Sequence, residues 1–347
     1  MKKNGAYQGM RAIAFLMVFM SHCFGSRFSY AAAWAVSFFF VLSGFLYGQK
    51  AYSSEITIQD TVGFIRKKMK RLYPFYFFSI IVSVPYYLLI NARGGLVLKD
   101  NLQKVGGDFL WCCSLLQSWS YHHHDALIGA NWFMSAIVFL YCLTPSLMAA
   151  VKKAHQKIGI RFLYFLSAIL LVVDVVTYIS VIRIGKGLPF LIYEFPLSRV
   201  LEYLISIIIG YIFQTCKKQE SSSMAALGLC VSGIAVAIMC FLVNYSGWEW
   251  KRIIWIVPNL IICVLCSYRN WISDTVLGNQ ILVSLGNMSF ELYLIHCIVA
   301  LYIVDFTPLL TGEHTWKMQL LVCGLVLVLS IIVTSTWNKI RAVYKTQ

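Results

Sequence analysis

Charge is what this chain has least of. Asp, Glu, Lys and Arg make up 12% of its 347 residues, while 59% are hydrophobic. Soluble domains carry about 25% charged residues, so this scarcity excludes an ordinary water-soluble enzyme and leaves a polytopic membrane protein. Acids are rarer than bases, 14 Asp and Glu against 29 Lys and Arg. The resulting net charge of +15 is read as membrane topology, with no nucleic-acid partner expected. Long polar loops are also missing. The spans leave no loop able to hold a second core, which predicts one domain over residues 1–347. The 11 cysteines stand mostly singly inside apolar runs, and the adjacent Cys112 and Cys113 have no metal-ligand spacing around them. Neither a disulfide framework nor a metal site is therefore expected. There is no Walker, HExxH or GxSxG pattern, no internal repeat and no low-complexity tract. P-loop, metalloprotease and nucleophile-elbow chemistries are set aside on that ground. No signal peptide is expected either. The first apolar run has Arg11 inside it and no small-residue cleavage site after it, so it is read as a span.

What is present is a succession of apolar segments, roughly 8–25, 32–50, 72–91, 130–151, 160–182, 199–216, 224–244, 252–267, 284–305 and 317–336. They predict an all-α polytopic membrane protein with about ten transmembrane helices. An even count places both termini on one side. Most of the basic residues fall in the loops of that side, among them Lys2, Lys3, the Arg66–Arg71 run, Lys152, Lys153, Lys217, Lys218 and Arg341. The positive-inside rule makes it the cytoplasmic side.

The first span, Gly9–Gly25, reads GMRAIAFLMVFMSHCFG. Ionisable groups inside a membrane helix are costly and mark functional sites by default. Arg11 and His22 are both inside it. The helix between them turns about 20° past three full turns and rises roughly 16 Å, so both lie on one stripe. A cation near the cytoplasmic face and an imidazole nearer the other suggest chemistry that uses both sides of a membrane.

Four further sets follow. FIRKKMKRLYP gathers Arg66, Lys67, Lys68, Lys70 and Arg71 in a cytoplasmic loop, 51–71, with Pro74 opening the third span. Two readings fit: a topology signal attracted to anionic lipid, or a phosphate grip. Residues 92–130 form the longest loop, on the outer side; its apolar DFLWCCSLL is too short to span and predicts an interfacial or re-entrant segment. The run YHHHD in the same loop aims adjacent histidines in different directions and is not read as a metal site. Trp132 opens NWFMSAIVFLYCLTP at the outer interface, and Arg199 and Glu202 share a helix face three residues apart. Ser289, Tyr293 and His296, at i, i+4 and i+7, share another face. These sets suit either polar glue between helices or a substrate path.

In order and spacing, these stretches resemble the integral-membrane acyltransferase family 3, the O-acyltransferases of lipopolysaccharide O-antigens, exopolysaccharides, peptidoglycan and nodulation factors. The resemblance is carried by RAIAFLMVFMSH, FFFVLSGFL with Ser43, FIRKKMKRLYP, WFMSAIVFLYCLTP, SRVLEYLISIIIG and LGNMSFELYLIH. The chain departs from the family at two places. Ile137 and Val138 stand where many relatives have paired glutamates, and Lys68 stands where an arginine is common, which keeps the charge but loses a bidentate fork. About ten residues follow the last span, so transfer is expected to be direct or through a partner, without an appended hydrolase-like domain.

The resemblance implies a cytoplasmic acyl-CoA donor, usually acetyl-CoA, with no bound cofactor. It implies a glycan hydroxyl as acceptor on the far side of the inner (plasma) membrane, membrane lipid as surroundings, and polysaccharide-synthesis proteins as partners. His22 is then expected to act as general base, with Arg11, Tyr293 and Ser43 as further catalytic residues. Arg66, Lys68 and Arg71, with Arg199 and Glu202, are expected to hold acyl-CoA. Trp132, His296 and Ser289 are expected to hold the acceptor. A transporter or flippase for a glycan or lipid-linked sugar is the alternative, since intramembrane Arg, Glu and His also suit a transport path. Transporters often show repeats and paired broken helices, which this sequence lacks. A scaffold within a polysaccharide-synthesis complex is the third reading.

Overall fold

Backbone in hydrocarbon can satisfy its hydrogen bonds only within helices or closed barrels. The computed structural model describes residues 4–24, 28–50, 53, 55–184, 189–216, 223–246, 252–306 and 316–346, and among them there are helices and no strands. Lys2, Lys3, Gly25, Lys217 and Lys218, used above for topology and for the end of the first span, lie outside the described residues.

The helices in chain order are α1 (Gly5–Phe24), α2 (Ser29–Gly48), α3 (Ile58–Arg93), α4 (Leu98–Ser114), α5 (Trp132–Ile158) and α6 (Ile160–Ile184). They continue with α7 (Pro189–Tyr193), α8 (Val200–Cys216), α9 (Ser223–Ser246), α10 (Ile256–Leu265), α11 (Gln280–Phe306) and α12 (Trp316–Thr346). Among the described residues, 8 helices are long and apolar enough to cross a bilayer. The helix carrying Arg11 and the shorter apolar Ile253–Leu265 segment complete the bundle. The chain is an all-α polytopic membrane protein.

α2 is the central helix. Its apolar window is 83% buried, against 17% for α6 and 22% for α9 and for α12, which face outward. Two interfaces require glycine. A Cβ at Gly48 would lie 2.1 Å from Ile207 O, and one at Gly210 would lie 2.2 Å from Phe45 O, so α2 and α8 meet backbone to backbone. A Cβ at Gly286 would lie 1.8 Å from Gln8 O, which brings α1 equally close to α11. That second contact puts Arg11 and His22 on a helix packed against the one that carries Tyr293 and His296.

The structure differs from the sequence reading at two places. The basic residues are not in a loop: α3 runs unbroken from Ile58 to Arg93, through Pro74 and Pro85. A capping box starts it early, with Asp60 N–H donating to Thr57 Oγ1 at 3.1 Å and Thr57 N–H donating to Asp60 Oδ2 at 3.0 Å. Pro74 has no N–H for the carbonyl of Lys70. Arg341 of α12 supplies the missing donor, at 3.2 Å to Lys70 O and 3.2 Å to Arg71 O. The proline is thus tolerated inside the helix. The long outer segment also contains the 17-residue α4, which holds most of DFLWCCSLL. Its Val105 and Cys112 are buried while Leu102 and Leu110 are exposed, so it packs one face against α3.

The Arg341 bonds also place the last helix beside the basic start of α3. Asn4 Nδ2 donates to Cys266 O at 2.8 Å, and the Cβ position of Gly5 lies 3.2 Å from Gly278 Cα. The two described ends of the chain therefore share one end of the bundle with Lys68 and Arg71.

Candidate active site

The basic end is built on α2, α3 and α5. Phe64, Lys68 and Arg71 are i, i+4 and i+7 on α3 and so share a face. Lys68 Nζ lies over Tyr47 at 4.8 Å, Tyr141 at 5.3 Å and Phe64 at 5.4 Å. Lys50 Nζ lies over the same Tyr47 at 4.6 Å. Burial, then the charge of Lys67, hold the Lys50 ammonium below the ordinary lysine value. Arg11 is within electrostatic reach of Tyr141, Arg71 and Tyr47. Among the described residues no carboxylate pairs with Arg11, Lys50 or Lys68 within 4.0 Å. Cations gathered without acids form a receptor for an anion. Arg66 is exposed and lies on another face of α3, away from this cluster.

From the cluster a line of side chains runs through the bundle. Ser43 Oγ donates to Tyr141 Oη at 3.3 Å. One turn back along α2, Phe39 meets Tyr293, with ring centroids 6.4 Å apart, and Phe133 meets Tyr293 at 5.2 Å. Tyr293 and His296 are 6.0 Å apart by ring centroid, and His296 and His22 are 5.1 Å apart. Arg11 and His22, on one stripe of α1, thus face the two ends of this line.

His296 is fully buried, against Phe15 and Phe19 of α1. Its Nδ1 lies 3.0 Å from Leu292 O, so the proton belongs on Nδ1 and Nε2 is left with its lone pair. His22 is accessible. It lines a cavity of about 180 Å³ between α1, α11 and α12, together with Cys23, Ala300, Val304, Met318, Gln319 and Val322. The accessible imidazole thus stands at the end of the buried line and opens on that cavity. Ser289 is buried and donates to Gly286 O of its own helix at 2.9 Å. It stands beside the α1–α11 contact and away from the cavity.

Arg199 and Glu202 are not part of the basic cluster. Both are fully buried, against the middle of α2, with Arg199 Nη1 donating to Glu202 Oε2 at 2.9 Å and Arg199 Nε donating to Tyr193 O at 2.9 Å. The guanidinium also lies over Tyr193 at 4.7 Å, Phe40 at 4.9 Å and Trp132 at 5.5 Å. Glu202 accepts from Ser37 of α2 and lies 3.9 Å from Arg252 Nη1. Arg252 in turn donates to both oxygens of Asp174, at 2.6 and 3.1 Å. This network ties α2, α6 and α8 together and positions Trp132, whose neighbour Phe133 packs on Tyr293.

Sequence reasoning passed over Asp174, Arg252 and Glu291. Asp174 is a lone acid within VVDVV and Glu291 a lone acid within MSFEL, so the intramembrane-charge signal was there for both. Glu291 is buried, with Arg71 and Arg341 in electrostatic reach. In the outer segment, His123 Nδ1 meets Asp108 Oδ1 at 2.9 Å and His124 Nδ1 meets Glu194 Oε2 at 2.6 Å, so the adjacent histidines diverge.

Cations that no acid pairs lie at one end, an accessible imidazole lies at the other, and a line of polar and aromatic side chains runs between them. Residues 4–335 match the model of the acyltransferase family 3, described as an acyltransferase domain, and the chain belongs to that family. It is a multi-pass membrane acyltransferase. No curated protein and no solved structure matches it.

Proposed function

We propose that this acyltransferase moves an acyl group, acetyl first, from acyl-CoA at the cytoplasmic basic end to a hydroxyl of an exported glycan at the other end of the bundle, in the inner (plasma) membrane. The line from Lys68 through Tyr141, Ser43 and Tyr293 to His296 and His22 carries this reading. It joins the unpaired cations to the accessible imidazole without leaving the protein.

On this reading Lys68 and Arg71, with Lys50 and Arg11, bind the nucleotide phosphates. Lys68, Lys50 and Arg11, which no carboxylate among the described residues pairs within 4.0 Å, favour a polyanion, while Arg71 has Glu291 in electrostatic reach. The thioester arm extends along the line. His22 removes the proton of the acceptor hydroxyl as that oxygen attacks the thioester carbonyl; the carbonyl oxygen gains the negative charge and returns it as the C–S bond breaks, and the departing sulfur takes the proton from His22, so that CoA leaves as the neutral thiol. Tyr293, one side chain from His296, carries the hydroxyl nearer His22 for that oxyanion, and Ser43, on Tyr141 beside the cations, lines the path of the thioester arm. Arg199 and Glu202 act as positioning residues for Trp132, and Arg66 attracts the donor from outside the cluster.

The test uses radiolabelled acetyl-CoA and the host's surface glycans, analysed by mass spectrometry with and without the gene. The expected result is a mass difference of one acyl group per acceptor unit. Glycans of identical mass, from cells that hold the inserted protein, overturn the glycan assignment. Label transferred to some other molecule would redirect the acceptor while leaving the donor reading in place.

A further inference from the structure

We propose that His22, His296 and Cys297 form a binding site for a borderline-soft divalent metal ion, zinc foremost, and that its occupancy inhibits acyl transfer. The sequence offers no ligand spacing for such a site because the ligands sit on two helices at opposite ends of the chain. The close α1–α11 packing brings them together, so that their ligand atoms all lie within 4.8 Å of one another.

The geometry suits a metal in three respects. First, the Leu292 carbonyl holds the His296 proton on Nδ1, which leaves Nε2 as a ready ligand fixed by an outer partner. Second, Nε2 stands 3.3 Å from Cys297 Sγ. With metal–nitrogen and metal–sulfur bonds of about 2.0 and 2.3 Å, that separation subtends about 100° at a shared ion, close to tetrahedral. Third, His22 brings a ring nitrogen from α1 to within 4.8 Å of the other two ligand atoms, so that a small side-chain shift closes the set, and it also lines the cavity, which offers an entry path and room for a water in the fourth position. Two imidazoles and a thiol select zinc or copper over magnesium and calcium. Binding displaces the thiol proton to solvent and leaves a thiolate on the metal, with no change of oxidation state.

Inhibition follows because a metal on His22 occupies the lone pair that takes the hydroxyl proton. That half rests on the proposed function; binding itself does not, and the experiment reads the two separately. The full chain, purified in detergent, is titrated with Co²⁺ and followed by absorption, with Zn²⁺ as competitor. The expected result is a thiolate-to-cobalt charge-transfer band at one equivalent, reversed by Zn²⁺. The band should be lost in Cys297→Ala and kept in Cys23→Ala. In the transfer assay, Cys297→Ala should keep the metal-free rate and need at least about tenfold more Zn²⁺ for half inhibition. Absence of the band in the wild-type protein, or an equal band in Cys297→Ala, overturns the site. A band with no zinc inhibition in an active protein overturns the inhibitory role and counts against His22 as the base.

Discussion

On the proposed reading, single side chains divide into those that react and those that hold. His22 is accessible, whereas its neighbour His296 is sealed beneath it, so only the first can meet an incoming hydroxyl. His22→Ala should therefore lower acyl transfer by ~10²–10⁴ with insertion and thermal stability kept, the usual worth of a general base. Near wild-type turnover by that variant would remove the assignment. Lys68→Ala should raise the donor KM roughly tenfold, about 1.4 kcal/mol, with kcat nearly constant, because it removes binding that ground and transition states share. An unchanged KM would return the basic face to a topological role. Asp174→Ala should instead destabilise the fold by about 3–5 kcal/mol, read as a large fall in Tm, since it strands the buried Arg252. The stripe of Arg11 and His22 and the face of Tyr293 and His296 were legible from helical periodicity alone. That the two faces meet was not, because it depends on Gly286 letting two distant helices touch. The role of Arg199 was also hidden: spacing pairs it with Glu202, but only the fold adds Arg252 and Asp174.

At the scale of the helix, what decides position is the backbone. Pro74 looked like a helix start because proline favours first turns, and that placed the basic residues in a loop. The Thr57 and Asp60 box won, and Arg341 took over the donor that Pro74 lacks. This exchange predicts a double-variant cycle followed by Tm. Arg341→Ala should destabilise the protein alone, yet much less in a Pro74→Ala background, where residue 74 regains an N–H for Lys70 O. Additive effects would show that the Arg341 bonds do not offset the proline. Gly48→Leu and Gly210→Leu should each prevent folded accumulation in membranes, because a Cβ there meets a carbonyl oxygen at about 2 Å. The outer α4 escaped the sequence reading for a different reason. Its exposed leucines and its pair of glycines, Gly106 and Gly107, blur the apolar period, and packing on α3 decides its shape.

For the whole molecule, the fold class was legible because long apolar runs in a chain so poor in charge have few alternatives. Sidedness is open to a direct check. A single cysteine placed at Lys99, on the exposed start of α4, should react with a membrane-impermeant thiol reagent in intact cells, while one placed at Lys67 should react only after permeabilisation. The reverse pattern would invert the molecule in the bilayer. The line of residues across the bundle has one more implication. Between the Lys68 cluster and His22 it consists of hydroxyls, aromatic rings and one sealed imidazole, with no side chain that is charged at neutral pH. Carrying a unit charge across a resting membrane costs about 2.3 kcal/mol per 100 mV, and an open wet path would short-circuit the cell's ion gradients. On the proposed reading, the CoA phosphates stay at the end where they bind, the acyl group passes to the acceptor and the acceptor's proton returns on the CoA sulfur, so no net charge crosses. The protein would then work as an electrical insulator that conducts one chemical group, and its turnover would not draw on the membrane potential.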